Sequence, residues 1–113
     1  MTTQPARPRP GRPVRGSTSG RPLMAALDLF GRRWSLRVLW ELRAGPLTSR
    51  GLREACGGIS PGVLQQRLDE LREAGLVELP GRQGYALTPL GRELESALRP
   101  LIAWADRWAQ ANP

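Results

Sequence analysis

Apolar residues recur at helical spacing from position 23 onward, and glycines and prolines separate the periodic stretches. The first predicted helix has apolar residues three and four positions apart, at Leu23, Ala26, Leu27 and Phe30, and it ends at Gly31. A second helix is predicted from Ser35 to about Arg43, where the glycine–proline step at 45–46 stops it. A third is predicted from about Thr48 to Ala55, with Thr48 or Ser49 as its N-cap.

A fourth helix is predicted over about 60–74, and its ends carry clear signals. Ser60 is a favourable N-cap, and Pro61 suits the first helical position, where a missing N–H costs nothing. Apolar residues at i, i+4 and i+7 form one buried stripe: Leu64, Leu68 and Leu71. Gly75 then ends the helix.

Two short β-segments, 76–79 and 85–88, flank a predicted tight turn at 80–84. Thr88 and Pro89 are suited to cap and start a last helix that runs to about Ala111. Its apolar face is predicted to comprise Leu94, Leu98, Leu101, Ala105 and Trp108, with Ile102 and Trp104 beside it. This order predicts a mainly α (α+β) fold, a winged helix-turn-helix with a small two-stranded wing and a long C-terminal helix.

The first 22 residues differ from the rest because they contain five arginines, no acid and many prolines and glycines. Such a segment buries too little apolar surface to offset its ordering entropy, so we predict a disordered basic arm over 1–22 and one domain over 23–111. Its Arg-Pro-Gly-Arg-Pro and Gly-Arg-Pro stretches resemble an AT-hook, which lies in A·T minor grooves. The arginines assigned to this arm contact are Arg9, Arg12, Arg15 and Arg21. The alternative is a basic tail that is only loosely attracted to DNA.

The composition narrows the class of function. The net charge of +7 favours a polyanionic partner. With no histidine and one cysteine, the chain offers neither a disulfide framework nor the usual metal ligands and general base, so we predict no metal, no cofactor and no enzyme activity. No apolar run is long enough to span a membrane, and the basic N-terminus is unlike a signal peptide, which predicts a cytoplasmic, nucleoid-associated protein with no membrane partner.

Three stretches resemble the HxlR branch of the MarR-like transcriptional regulators. They are ALDLFGRRWSLRVLWEL at 26–42, GISPGVLQQRLDELREAGLVE at 58–78 and YALTPLG at 85–91. The resemblance implies a dimeric, DNA-binding repressor or activator, of a family that often responds to small electrophiles, oxidants or metabolites. The chain departs from the family in three ways: Arg21-Pro22 stands where many members have a redox-active Cys-Pro pair, the wing is short, and Gly62 replaces a common basic residue.

The DNA site follows from placing the helix at 60–74 in the major groove of double-stranded DNA. Gln65 and Gln66 point away from the core and match adenine edges, so they are the candidates for base readout. Candidate phosphate or backbone contacts come from the start of that helix, the preceding helix and the wing: Ser60, Pro61, Gly62, Arg67, Ser49, Arg50, Arg53 and Arg82. The alternative is that these residues are only a solvated surface, with Arg50 or Arg53 paired to Glu54. Glu70 and Glu73, farther along the helix, are expected to repel the DNA backbone.

A homodimer is expected, because a lone domain of this size gains from covering further apolar surface and the family resemblance favours a dimer. The residues assigned to its interface are Leu23, Leu27, Phe30, Leu101, Trp104 and Trp108. The alternative is that Trp104 and Trp108 pack within their own subunit. Trp34 and Trp40 are predicted to be core residues instead. Two recognition helices then predict a near-palindromic operator.

Two other functions stay open at this point. One is a winged-helix protein-interaction module whose basic arm gives non-specific DNA affinity. The other is a small-molecule or redox sensor that depends on Cys56, although a buried and inert thiol is the expectation for that residue. A small-molecule effector is possible, but no polar cluster in the sequence identifies it.

Overall fold

The computed structural model describes residues 21–113, and the helices and strands follow the predicted order. The elements are α1 (Pro22–Phe30), α2 (Ser35–Glu41) with a 3₁₀ turn (Leu42–Ala44), α3 (Ser49–Cys56), α4 (Pro61–Glu73), β1 (Val77–Gly81), β2 (Gly84–Leu87) and α5 (Pro89–Ala111). This confirms the mainly α winged helix-turn-helix with a two-stranded wing. The predicted arm lies outside the described residues except for its last two, since Arg21 is the N-cap and Pro22 the first residue of α1.

Side-chain caps fix where three of the helices begin. The hydroxyl of Ser60 accepts a hydrogen bond from the Val63 amide at 3.3 Å. The hydroxyls of Thr48 and Thr88 accept equivalent bonds from residues three positions on, each at 3.0 Å. The predicted caps at Ser60 and Thr88 are confirmed, and Thr48 is the cap of α3. Each cap satisfies an amide that would otherwise have no partner at the helix start.

The core lies where α2, α3 and α4 pack together over the hairpin. Its fully buried large side chains are Leu42, Leu52, Leu64, Leu68, Leu71 and Val38. The predicted stripe of three leucines on α4 is therefore confirmed, and it leaves the opposite face of that helix exposed. In the part of the chain that the structure describes, no helix combines the length and hydropathy needed to cross a membrane.

The wing has a shorter turn than the sequence predicted. Val77 pairs with Leu87, and Gly81 pairs with Gly84, so only two residues connect the strands instead of five. The predicted turn was too long because Pro80 belongs to β1. Proline is tolerated there because the register shifts between Glu78 and Gly81, so the strand needs no regular backbone hydrogen bond from this residue.

Trp40 corrects a second prediction, because its side chain is 39% exposed and so is not a core residue. The helix it lies on ends at Glu41, and the Arg43 guanidinium stacks over the indole ring, 3.7 Å from the ring centroid. Trp34 is half-buried and packs against the core as predicted. It adopts a left-handed backbone conformation with φ of 78°, alone among the non-glycine residues of 21–113.

Gly91→Ala is expected to destabilise the protein by at least about 2 kcal/mol, because its methyl group would overlap the Leu76 carbonyl oxygen and push α5 off the wing. Gly62→Ala is the matched control, since a Cβ there meets only open space and a helical alanine stabilises by roughly 0.5–1 kcal/mol. Chemical denaturation of both variants checks the difference. Equal stabilities would contradict the close packing of α5 on the hairpin.

Candidate nucleic-acid interface

The exposed face of α4 consists of short or uncharged residues near the start of the helix. Gly62, Gln65 and Gln66 are exposed, and the space in front of Gly62 is open. Gln65 donates from Nε2 to Asp69 Oδ1 at 2.9 Å, so its amide is held along the helix surface. Both glutamines present amide groups of the kind that pair bidentately with adenine.

The capped start of α4 adds donors beside this face. Ser60 and Pro61 are exposed, and the Ser60 oxygen already accepts the Val63 amide. Its own O–H therefore remains able to donate, for example to a phosphate oxygen. The positive end of the helix dipole acts in the same direction.

The preceding helix α3 carries two exposed arginines next to that helix start. The Arg50 side chain is 88% exposed and lies 3.5 Å from Glu54, which is itself exposed. A surface pair of this kind contributes little and exchanges readily for a phosphate. Arg50, Arg53 and Glu54 line an open concavity with Ile59, and Ser49 at the start of α3 is also exposed. The predicted pairing with Glu54 is therefore present, in a form weak enough to give way to DNA.

Arg67, a predicted phosphate contact, is mostly buried and held by hydrogen bonds to the protein. Its side chain is only 14% exposed, with Nε donating to the Arg33 carbonyl at 2.8 Å and Nη1 to Glu70 Oε1 at 2.6 Å. These bonds turn the guanidinium toward the turn between α1 and α2. They favour a role for Arg67 in holding α4 in place, so we do not include Arg67 among the proposed phosphate contacts.

Glu70 also differs from its prediction, because a side chain expected to be exposed and to repel the DNA backbone is buried. It is buried, at 4% exposure, and Arg32 Nη1 donates to its Oε2 at 2.5 Å. Sequence reasoning missed this contact because Arg32 lies 38 residues away and no local pattern links the two positions.

The remaining candidates for DNA contact are peripheral. Arg82 is exposed at the hairpin tip, and Arg21 is exposed at the start of α1. Arg9, Arg12 and Arg15 lie outside the described residues, so their assignment to a minor-groove contact stays a prediction.

Most of the residues assigned to a dimer interface are exposed apolar side chains on α1 and α5. Leu23 and Leu27 are exposed on α1, and Leu101, Trp104 and Trp108 on α5. The two indole rings stack 6.0 Å apart at an angle of 8°. Phe30 is the exception, because it is half-buried and packs against the core. Aromatic side chains such as these are enriched in the surfaces that proteins bury against a partner.

Cys56 is buried at the end of α3. Burial raises the pKa of its thiol, which outweighs the opposite effect of the Arg37 charge. A raised pKa lowers the fraction of reactive thiolate. Within residues 21–113, no three acidic or cysteine side chains form a group suited to a metal ion.

Comparison with known proteins gives one consistent set of matches. The model of the HxlR-like helix-turn-helix family matches residues 29–113. The HTH-type transcriptional regulator YodB of Bacillus subtilis is 30% identical over 101 residues, covering 84% of this chain and 90% of that protein. The crystal structure of quinone-bound YodB superimposes with a TM-score of 0.69 at 31% identity, over 75% of this chain and 96% of that one. The structure of a transcriptional regulator of the MarR family from Enterococcus faecalis superimposes with a TM-score of 0.68 at 37% identity, over 79% of this chain and 86% of that one.

Proposed function

The chain belongs to the HxlR-like helix-turn-helix family of transcriptional regulators, and on that premise we propose that it binds a near-palindromic DNA operator as a homodimer. The observation that carries this proposal is the face of α4. It combines a capped N-terminus, an open space at Gly62 and two exposed glutamines, next to the arginines of α3.

In the proposed complex, α4 enters the major groove with its N-terminal half. Gln65 and Gln66 read base edges, which requires Gln65 to leave Asp69. Ser60 and the amides at the start of α4 contact a phosphate, while Ser49, Arg50 and Arg53 contact the backbone from α3. Arg82 reaches the adjacent backbone or minor groove from the wing.

The exposed apolar side chains of α1 and α5 form the proposed dimer interface. Two copies would cover Leu23, Leu27, Trp104 and Trp108, and would present two α4 helices to one side of the duplex. The matched relatives are transcriptional regulators, not enzymes, so the proposed mechanism is DNA binding without catalysis. The proposed location is the cytoplasm, on nucleoid DNA.

A thiol-based response is the alternative that the geometry disfavours. YodB has been crystallised with a quinone bound, which is a property of that protein. Cys56 is the single cysteine of the present chain, and its burial and raised pKa both oppose attack on an electrophile.

Selection of bound sequences from random duplexes, at about physiological salt, tests the proposal. The full chain is compared with a variant in which Arg9, Arg12 and Arg15 are replaced by serine. One near-palindromic motif shared by both proteins is expected, with weaker overall affinity for the variant. A motif that depends on those arginines, or none from either protein, would contradict α4 as the reader and favour a protein-interaction module.

A further inference from the structure

A buried carboxylate connects α4 to the segment that follows α1. Glu70 uses both of its oxygens, since Oε1 accepts from Arg67 at 2.6 Å and Oε2 accepts from Arg32 at 2.5 Å. The carboxylate is almost fully buried and the two arginines are mostly buried. Charge-assisted bonds of this kind are short and directional, so they fix the relative position of the groups that make them.

The same network extends to α1. Arg32 Nη2 lies 3.5 Å from Asp28 Oδ2, and Asp28 belongs to α1. Two carboxylates and two guanidinium groups therefore alternate in a cluster whose formal charges cancel: Asp28, Arg32, Glu70 and Arg67. Buried ion pairs add little net stability because desolvation offsets their attraction, so fixing geometry is the effect for which this cluster is suited.

A second contact makes the connection stiff. Arg67 donates to the carbonyl of Arg33, and the next residue, Trp34, has the left-handed φ of 78°. A bulky residue in that conformation persists only where its surroundings hold it. The turn between α1 and α2 is thus attached to α4 twice, through the side chain of Arg32 and through the backbone of Arg33.

We propose that the cluster of Asp28, Arg32, Glu70 and Arg67 sets the position of α4 relative to α1, and so determines which half-site spacing the dimer accepts. Glu70 and Arg32 are then positioning residues that do not touch DNA. The inference rests on the proposed function, in which α4 reads DNA and α1 belongs to the dimer interface. A change of one base pair moves a half-site by about 3.4 Å along the duplex, so even a small shift of α4 matters.

The test uses the duplex selected by the wild-type chain, rebuilt with its half-sites moved together or apart by one and two base pairs. Affinities are measured for the full-length wild type, Glu70→Gln and Arg32→Gln, with a random-sequence duplex as reference. Glu41→Gln is the matched control, because it breaks the 2.7 Å pair with Arg37 on α2 without involving α4. Arg32→Lys keeps a cation against Glu70, and thermal unfolding is recorded for every variant.

For the wild type and Glu41→Gln, we expect each base pair of displacement to lower affinity by about tenfold, similar to one mismatched base pair. For Glu70→Gln and Arg32→Gln, we expect this spacing preference to fall below about threefold, with random-duplex affinity within about twofold of wild type. Arg32→Lys is expected to keep the wild-type preference. Arg32→Gln leaves Glu70 paired with Arg67, so it reports on α4 even where Glu70→Gln does not fold.

A wild type with a sharp spacing preference that Arg32→Gln and a folded Glu70→Gln both retain would overturn this inference alone. A uniform loss of affinity at every spacing would do the same, because it would indicate a loss of stability only. A wild type that selects no motif would overturn the proposed function, and this inference with it.

Discussion

Replacing both Gln65 and Gln66 by alanine is expected to lower affinity for the selected operator by at least about 30-fold. The estimate follows from the roughly 1–3 kcal/mol that each bidentate glutamine–adenine pair contributes to discrimination. Affinity for a random duplex is expected to stay within about twofold, because no positive charge is removed and phosphate contacts dominate non-specific binding. Fluorescence anisotropy with both duplexes at one salt concentration measures the ratio.

The two glutamines are expected to contribute unequally. Gln65 must break its 2.9 Å hydrogen bond with Asp69 before it can reach a base, whereas Gln66 extends from the exposed face of α4. The net gain from Gln65 is smaller by the free energy of that bond, about 1 kcal/mol. Gln66→Ala should therefore cost more affinity than Gln65→Ala.

Gln110→Ala on the exposed end of α5 is the matched control and should leave both affinities unchanged. An unchanged operator affinity in the double glutamine variant would show that α4 does not read bases. The basic arm and α3 would then account for all DNA binding, as in a protein-interaction module with non-specific affinity.

Much of the fold could be predicted because its determinants are local. The starts of α4 and α5 are each marked by a cap, Ser60 or Thr88, followed directly by a proline. The whole cap, including the amide that it binds, spans four consecutive residues. The leucine stripe of α4 likewise predicted which face is buried. The exposed glutamine face followed directly from that stripe, so the candidate reading residues could be named from the sequence.

Features that depend on distant parts of the chain could not be predicted. Arg67 and Glu70 occupy intermediate positions on the helical wheel, and both are mostly buried where they contact the turn between α1 and α2. Trp40 was predicted in the core because tryptophan is apolar, yet its side chain is partly exposed in a groove between α2 and α5 that α5 does not close. Each outcome depends on which side chain arrives from another turn or element, and the hydrophobic pattern contains no such information.

The second large effect is expected at the proposed dimer interface. Changing Trp104 and Trp108 together to glutamate should raise the dimer dissociation constant at least about a thousandfold, since a tryptophan that is a hot spot of an interface contributes about 2 kcal/mol or more. Both side chains are at least half exposed in the single chain, so the folded monomer loses little. Analytical ultracentrifugation should show a dimer for the wild type and a folded monomer for the variant.

Placing two glutamates at Ala103 and Gln110 is the matched control, because these residues are exposed and lie on the side of α5 away from the tryptophans. That variant carries the same added charge and should remain dimeric.

Loss of the dimer in the tryptophan variant should also remove the benefit of binding two half-sites at once, so operator affinity should fall toward that of a single half-site. If the tryptophan variant remained dimeric, the interface would lie on another surface. The spacing between the two α4 helices would then have to be derived again from that surface, while the reading face on α4 would keep its role.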